Sequence, residues 1–342
     1  MQAVVFEQVE KRFDRVRALD SCTFAVAVGE SYALLGHPGA GKRTALQLAH
    51  GLIRPDTGTV QVLGARDARR VAAQVGLFSG QMRVLPQTSV IGWLRLAAVA
   101  SGLSGTALAS RIASVIDMCA LDAVQDTPLA ALPLAAARRA LLAQAIVHEP
   151  TLLLADQPTV RLPATEQPTI WKLLQHVAAA GTTVLLATAD AAEAETVATR
   201  IGLLVRGAVV AEMQSDDVRG AALRVQIRCG PLSPALRAQL VALSPAVRCD
   251  EQRIQIAPND AALQHAVTQL LLDAGVSLLS LESAGRPLDR IYARAMRGEA
   301  LQVPAPARQY GDTLLTSLLG AQMTNPHETR ALPIDEPAVE ER

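Results

Sequence analysis

The chain of 342 residues is short of several things. Aromatic residues make up 3% of it, which argues against a base-stacking platform for nucleic acid. Lys and Arg number 32, as do Asp and Glu, so no net charge draws the chain toward a polyanion. No nucleic-acid partner is expected. The four cysteines, Cys22, Cys119, Cys229 and Cys249, form no CxxC pair, which excludes the common zinc and thioredoxin-type motifs. They read as buried apolar thiols in a reducing compartment. Every 18-residue apolar window is interrupted by Arg, Asp, Gln or Ser, so no transmembrane helix is expected. The opening MQAVVFEQVEKRF lacks the basic start and apolar run of a signal peptide. Lysine stands only at 11, 42 and 172, so a lysine inside a glycine-rich loop stands out. Apolar residues are plentiful at 50%, enough for the cores of about two domains.

Segments 3–9 and 22–28 alternate like half-buried strands, and 31–35, 58–63 and 75–78 continue the series. Residues 88–148 carry three Ala/Leu-rich helical patterns, near 90–100, 106–119 and 135–148, which predict a helical insertion. Apolar strands at 151–156, 183–188, 201–205 and 208–212, with helices at 165–180 and 190–199, predict a mainly parallel sheet buried on both faces. Residues 214–222 read as a linker. From 223 to 298 the order is βαββαβ with a closing helix at 287–297, a ferredoxin-like α+β unit. The segment 299–342, with Pro304, Pro306, Pro326, Pro333 and Pro337, reads as a disordered tail. Within it, Leu314 to Met323 reads as a transient helix or a docking peptide.

The segment from Ser31 to Thr44 is strand, glycine-rich loop and helix start. Gly36, His37, Pro38, Gly39, Ala40, Gly41 and Lys42 follow the phosphate-loop pattern; the next residue is Arg43, and Thr44 comes one place later. Inward-turned backbone N–H groups and a helix N-terminus make such a loop an anion cradle. Lys42 stands where a loop lysine reaches the β- and γ-phosphates. His37 lies inside the loop, a position from which a side chain can approach the β-phosphate.

This loop resembles the Walker A motif of ATP-binding cassette (ABC) ATPases. GLIRPDTGTVQVLG at 51–64, HEPTLLLADQPT at 148–159 and the strands and helix of 178–207 extend the resemblance. The βαββαβ unit ending in PLDRIYARAMRG at 287–298 resembles the C-terminal domain of drug-exporter ATPases of the daunorubicin-resistance type. The resemblance implies a P-loop α/β domain over 1–213, ATP and Mg²⁺ as cofactors, and a separate membrane permease as partner. It also implies a position on the cytoplasmic face of a bacterial inner membrane. By the same resemblance Phe13 stacks on adenine, the alternative being a core or strand-edge residue. Asp156 holds Mg²⁺ through water at the end of the Walker B strand. Gly80 falls at the glutamine of the next loop, and Gln81, one place on, serves in its stead if the register slips by one.

At several positions the sequence departs from the family. Gln157 replaces the catalytic glutamate, and an amide takes no proton from water. Ala189, in TAD, replaces the switch histidine. Arg43 replaces the hydroxyl that ligates Mg²⁺, and a guanidinium has donors only. Arg43 then either contacts phosphate in the metal's stead, turns to solvent, or pairs with a nearby carboxylate. Leu132 to Ala136 replaces LSGGQ, and Pro163 replaces the D-loop aspartate. The combined reading is an ATP-binding exporter subunit impaired in hydrolysis, possessing a permease and a second, intact ATPase as partners. The alternatives are a pseudo-ATPase scaffold or regulator, and a conventional ATPase tolerant of the changes. His50, His148, His176 and His265 stand alone, and the pairs Arg69-Arg70 and Arg138-Arg139 read as solvated helix faces.

Overall fold

The computed structural model describes residues 1–80, 86–222, 225–257, 261–283 and 287–297. Gln81 and the segment 299–342 lie outside the described residues. The described residues belong to one compact unit, Met1–Pro306.

The alternating N-terminal segments fold as β1 (Gln2–Phe13) and β2 (Val16–Ala27). Next come β3 (Ser31–Leu35), α1 (Lys42–His50), β4 (Thr57–Val62) and β5 (Val75–Ser79). The insertion consists of α2 (Val90–Ala100), α3 (Gly105–Met118) and α4 (Leu134–Ile146). After it follow β6 (Leu152–Asp156), α5 (Gln167–Ala179), β7 (Thr183–Thr188), α6 (Ala191–Val197), β8 (Arg200–Val205) and β9 (Ala208–Gln214).

A six-stranded sheet runs β5-β6-β7-β3-β8-β9 and is parallel except for the edge strand β9. Its inner strands are buried on both faces, which is why their sequences are continuous apolar runs. One face packs Leu34, Leu154 and Leu185 against α1 and a separate antiparallel sheet, β2-β1-β4. The other packs Leu153, Leu186 and Leu203 against helices of the insertion and α5. The separate sheet refines the expectation of one mainly parallel sheet: β1 and β2 are joined by a tight turn and pair as a hairpin. Several of the few aromatic residues join the two sheets. Phe6 stacks on Phe24 at 4.6 Å between centroids, and Phe24 on Tyr32 of β3 at 5.6 Å.

The segment read as a linker is helical instead: α7 (Ser215–Ala222). Ser215 donates its hydroxyl to Glu195 O at 2.8 Å, and Val218 is fully buried in the main core. Burial of Val218 and the Ser215 hydrogen bond hold the start of the segment against α6. Beyond it stand β10 (Val225–Cys229), α8 (Pro234–Leu243), β11 (Val247–Cys249), β12 (Arg253–Ile256), α9 (Ala261–Asp273), β13 (Leu278–Ser283) and α10 (Pro287–Met296). The order β11-β12-β10-β13, antiparallel throughout, is the ferredoxin-like arrangement. It has a core of its own, including Ile227, Leu240, Ile254 and Leu271. Helix α10 departs from the expected closing role. Its Leu288 is buried in the main core, beside residues of the nucleotide-type domain.

Candidate functional site

The sheet register brings four strand ends together. Leu35 pairs with Thr188, Asp156 with Ala187, and Ser79 with Asp156. Loops leaving the carboxyl ends of parallel strands form the crevice in which α/β proteins bind ligands. The phosphate loop leaves β3 there. Gly36 N–H donates to Thr188 O at 3.1 Å, and Ala40 N–H to His37 O at 3.1 Å. Gly41 caps α1 with φ 108°, and a side chain at this position would meet Ala18 O at 2.3 Å. The loop's last glycine is therefore required twice over, by backbone angle and by space. The N-terminal turn of α1 leaves the N–H groups of Lys42, Arg43 and Thr44 without an intrahelical acceptor, as every helix start does. These donors and the helix dipole are suited to an anion.

Lys42 is 4% exposed. Its Nζ donates to Gly36 O at 2.5 Å and His37 O at 2.9 Å. Burial pushes its ammonium down to about 8, against the opposing pull of Asp156. Arg43 takes the carboxylate option. Its Nε donates to Asp156 Oδ2 at 2.8 Å. Asp156 is 5% exposed, and its other oxygen is buried without a hydrogen-bond partner. Arg43 and Asp156 line a pocket of about 310 Å³ together with Ser79 and Gln47.

This arrangement bears on Mg²⁺. Of the two oxygens of Asp156, Oδ2 accepts from the Arg43 guanidinium and Oδ1 is left without a partner. Position 43 offers hydrogen-bond donors and a positive charge where an oxygen ligand would be needed.

Gln157 follows Asp156 with φ 48°, its N–H donating to Ala187 O at 2.8 Å. Ala189 lines a second pocket of about 250 Å³ with Leu35, Gly36, His37, Pro38 and Tyr292. The methyl group of Ala189 offers neither donor nor acceptor to that pocket. Pro133 is the N-cap of α4 and carries no N–H, so the start of this helix lacks a side-chain cap as well as that donor. Phe13 ends β1, 44% exposed, with Lys11 Nζ 5.6 Å from its ring centre. The core alternative for Phe13 is thereby excluded.

Three features were missed in the sequence. First, Tyr292 of α10 reaches the phosphate loop. The His37 N–H donates to its hydroxyl at 2.6 Å, and the two rings lie 6.4 Å apart at 20°. His37 is thus engaged by α10. No motif announces a contact across 255 positions. Second, Arg138 is no solvated residue. It is 4% exposed and donates to Gly80 O, and to Val160 O at 3.1 Å. Gly80 makes room for it, since a side chain there would lie 2.6 Å from the guanidinium. Arg139 donates to Cys119 O at 3.0 Å and to Ala120 O, satisfying carbonyls at the end of α3. Third, Glu193 is 1% exposed and accepts from Thr159 Oγ1 at 2.6 Å, Trp171 Nε1 at 3.2 Å and Thr188 Oγ1. It ties the turn after Gln157 to the strand end before Ala189. Burial pushes its carboxyl above the usual range despite the three donors.

A family model described as ABC transporter matches residues 19–160. Nod factor export ATP-binding protein I of Paraburkholderia xenovorans is 31% identical over 250 residues, covering 70% of this chain and 81% of that protein. The protein of the same name from Ralstonia nicotianae is 28% identical over 257 residues, with coverages of 72% and 79%. Among solved structures, an ATP-binding subunit of an ABC transporter matches with TM-score 0.58 and 25% identity, over 64% of this chain and 92% of its own. A dimeric post-hydrolysis ATP-binding cassette bound to ADP and Pi matches in fold, with TM-score 0.57, 23% identity and coverages of 62% and 98%.

Proposed function

Because the chain belongs to the ATP-binding subunits of ABC transporters, we propose that it is the nucleotide-binding subunit of an exporter that holds ATP without turning it over. The observation that carries this reading is a contrast within one crevice. The loop from Gly36 to Thr44 ends at the open N–H groups of the α1 start, while by the resemblance Gln157 and Ala189 take the positions of the family's base and switch imidazole. Binding needs the backbone cradle and Lys42. Hydrolysis needs a group that accepts a proton from water, and the loss of such a base typically lowers a rate by about 10²–10⁴.

In this reading Phe13 carries the adenine, and nucleotide occupancy is passed to a separate membrane permease on the cytoplasmic face of a bacterial membrane. Relatives named for export support the direction of transport. Among the described residues no helix is long and apolar enough to cross a membrane, so the membrane part is assigned to another chain. A second, intact ATPase completes the assembly, since the segment at Leu132–Ala136 supplies neither the hydroxyl nor the glycine amides of a working signature. Occupancy without turnover is read by titrating the purified chain with ATP and following phosphate release. Binding abolished by Lys42→Ala, with no steady-state release, is the expected result. Turnover at ordinary rates that Lys42→Ala abolishes overturns the reading. Gln157→Glu alone restores little activity, because Arg43, Ala189 and Pro133 remain.

A second reading is a scaffold that takes no nucleotide. It is favoured by the loop's internal satisfaction, with Lys42 on two loop carbonyls and the His37 N–H on Tyr292. The same titration separates the two.

A further inference from the structure

We propose that Arg43 and Gln157 act together as a built-in replacement for the divalent cation, so that this chain binds the triphosphate of ATP without metal. The inference rests on the reading of the loop as a nucleotide site and adds how the phosphate charge is met there.

Arg43 starts α1 directly after the loop lysine, and its Nε is anchored on Asp156 at 2.8 Å. That bond uses one of the five N–H groups of the guanidinium. The side chain remains 46% exposed, and no other protein partner of its guanidinium appears among the described residues. Arg43 lines the pocket of about 310 Å³ that Asp156 and Ser79 also line, and Asp156 lies close enough to the loop's Lys42 to act on its charge. A planar fork fixed at its inner end loses little freedom when it binds phosphate oxygens at its outer end. The Asp156 carboxylate then positions the cation; it does not hold a metal.

The charges balance as well. In the family pattern, a lysine, an aspartate, a glutamate and a divalent ion leave the site with one net positive charge. Here Lys42, Arg43 and Asp156, with a neutral Gln157, also leave one. The guanidinium supplies one of the two charges of the ion, and removal of the glutamate supplies the other. Either substitution alone unbalances the site. A serine at 43 without metal leaves Lys42 and Asp156 to cancel, and a glutamate at 157 cancels the gain from Arg43. The two departures from the family pattern, 114 positions apart in sequence, thus have one electrostatic explanation. Mg²⁺ would meet at this site a carboxylate with one oxygen already on a cation.

The test is ATP affinity of the full chain, by calorimetry or equilibrium dialysis, in excess EDTA and in excess MgCl₂. It compares the native protein with Arg43→Ser, Arg43→Lys, Gln157→Glu and the double variant Arg43→Ser/Gln157→Glu. The native affinity is expected to agree in the two media within about threefold. In EDTA, Arg43→Ser is expected to bind about 10- to 100-fold more weakly, the size of one hydrogen bond to a charged group. Gln157→Glu is expected to weaken EDTA binding at least tenfold, and the double variant to become dependent on magnesium. Should Arg43→Ser not fold, Arg43→Lys and Gln157→Glu carry the test. Native binding that is at least tenfold tighter with magnesium overturns the proposal while leaving the nucleotide site intact. EDTA binding unchanged by Gln157→Glu also overturns it. Absence of ATP binding in both media overturns the nucleotide reading itself.

Discussion

Replacement of Glu193 by alanine is expected to destabilise the chain by about 3–5 kcal/mol, and by glutamine by less than about 1 kcal/mol. The carboxylate is buried and accepts three hydrogen bonds, from Thr159, Thr188 and Trp171. Alanine leaves these three donors without an acceptor, each costing about 1–3 kcal/mol if it stays dry. Part is regained because a buried charge disappears. Glutamine keeps one acceptor oxygen for Thr159 and Trp171. Its amide donates to the Thr188 hydroxyl, which already accepts the Asp190 N–H at 3.0 Å. The pH dependence discriminates further. Burial raises the carboxyl above the usual range, so the native state holds its proton where the unfolded chain has lost it. The contribution to stability is therefore fully present below the usual carboxyl range and is lost as pH rises through the raised value. The assay is urea unfolding followed by tryptophan fluorescence at pH 4.5, 6 and 8. Trp171 touches the carboxylate and reports the network directly. A cost below about 1 kcal/mol for Glu193→Ala, or an unchanged pH slope in Glu193→Gln, refutes the reasoning.

The Lys42 ammonium sits at about 8 in the free protein because it is buried, and a bound triphosphate raises it. ATP affinity is therefore expected to be flat below pH 8 and to fall by up to about tenfold per unit above it. Lys42→Arg, always charged, removes the fall; a flat native profile from pH 7 to 10 is the contrary result. Tyr292→Phe keeps the ring against His37 but frees the loop N–H. A rise in ATP affinity of up to about fivefold is expected by titration, and a fall would show that the hydroxyl serves the ligand. The purified chain is expected not to dimerise on addition of ATP, because Pro133 and Ala135 offer a facing nucleotide no hydroxyl. Light scattering with and without ATP is the check.

Much of the architecture was legible locally. The strand 183–188 and the helix 90–100 coincide with β7 and α2, since each is bounded by its own turn or cap. The parallel sheet announced itself through short, mostly apolar strands, and the phosphate loop through glycines that only a left-handed backbone or close contact requires. The substitutions at 43, 157 and 189 were also plain in one dimension, because residue identity alone decides whether a side chain has a lone pair, a proton to take or neither. What the sequence could not decide is which of three environments Arg43 enters. That depends on the register of β6 beside β7, which sets Asp156 within 2.8 Å of a side chain 113 positions away. The same holds for Arg138, whose burial required a glycine at 80, and for the segment 214–222, which is polar in sequence yet anchored through Val218. Local pattern governs the backbone, because hydrogen bonding and periodic burial act over a few residues. The partners of charged side chains are settled only when distant elements pack, because a long cation has many carboxylates and carbonyls within reach until the fold excludes all but one.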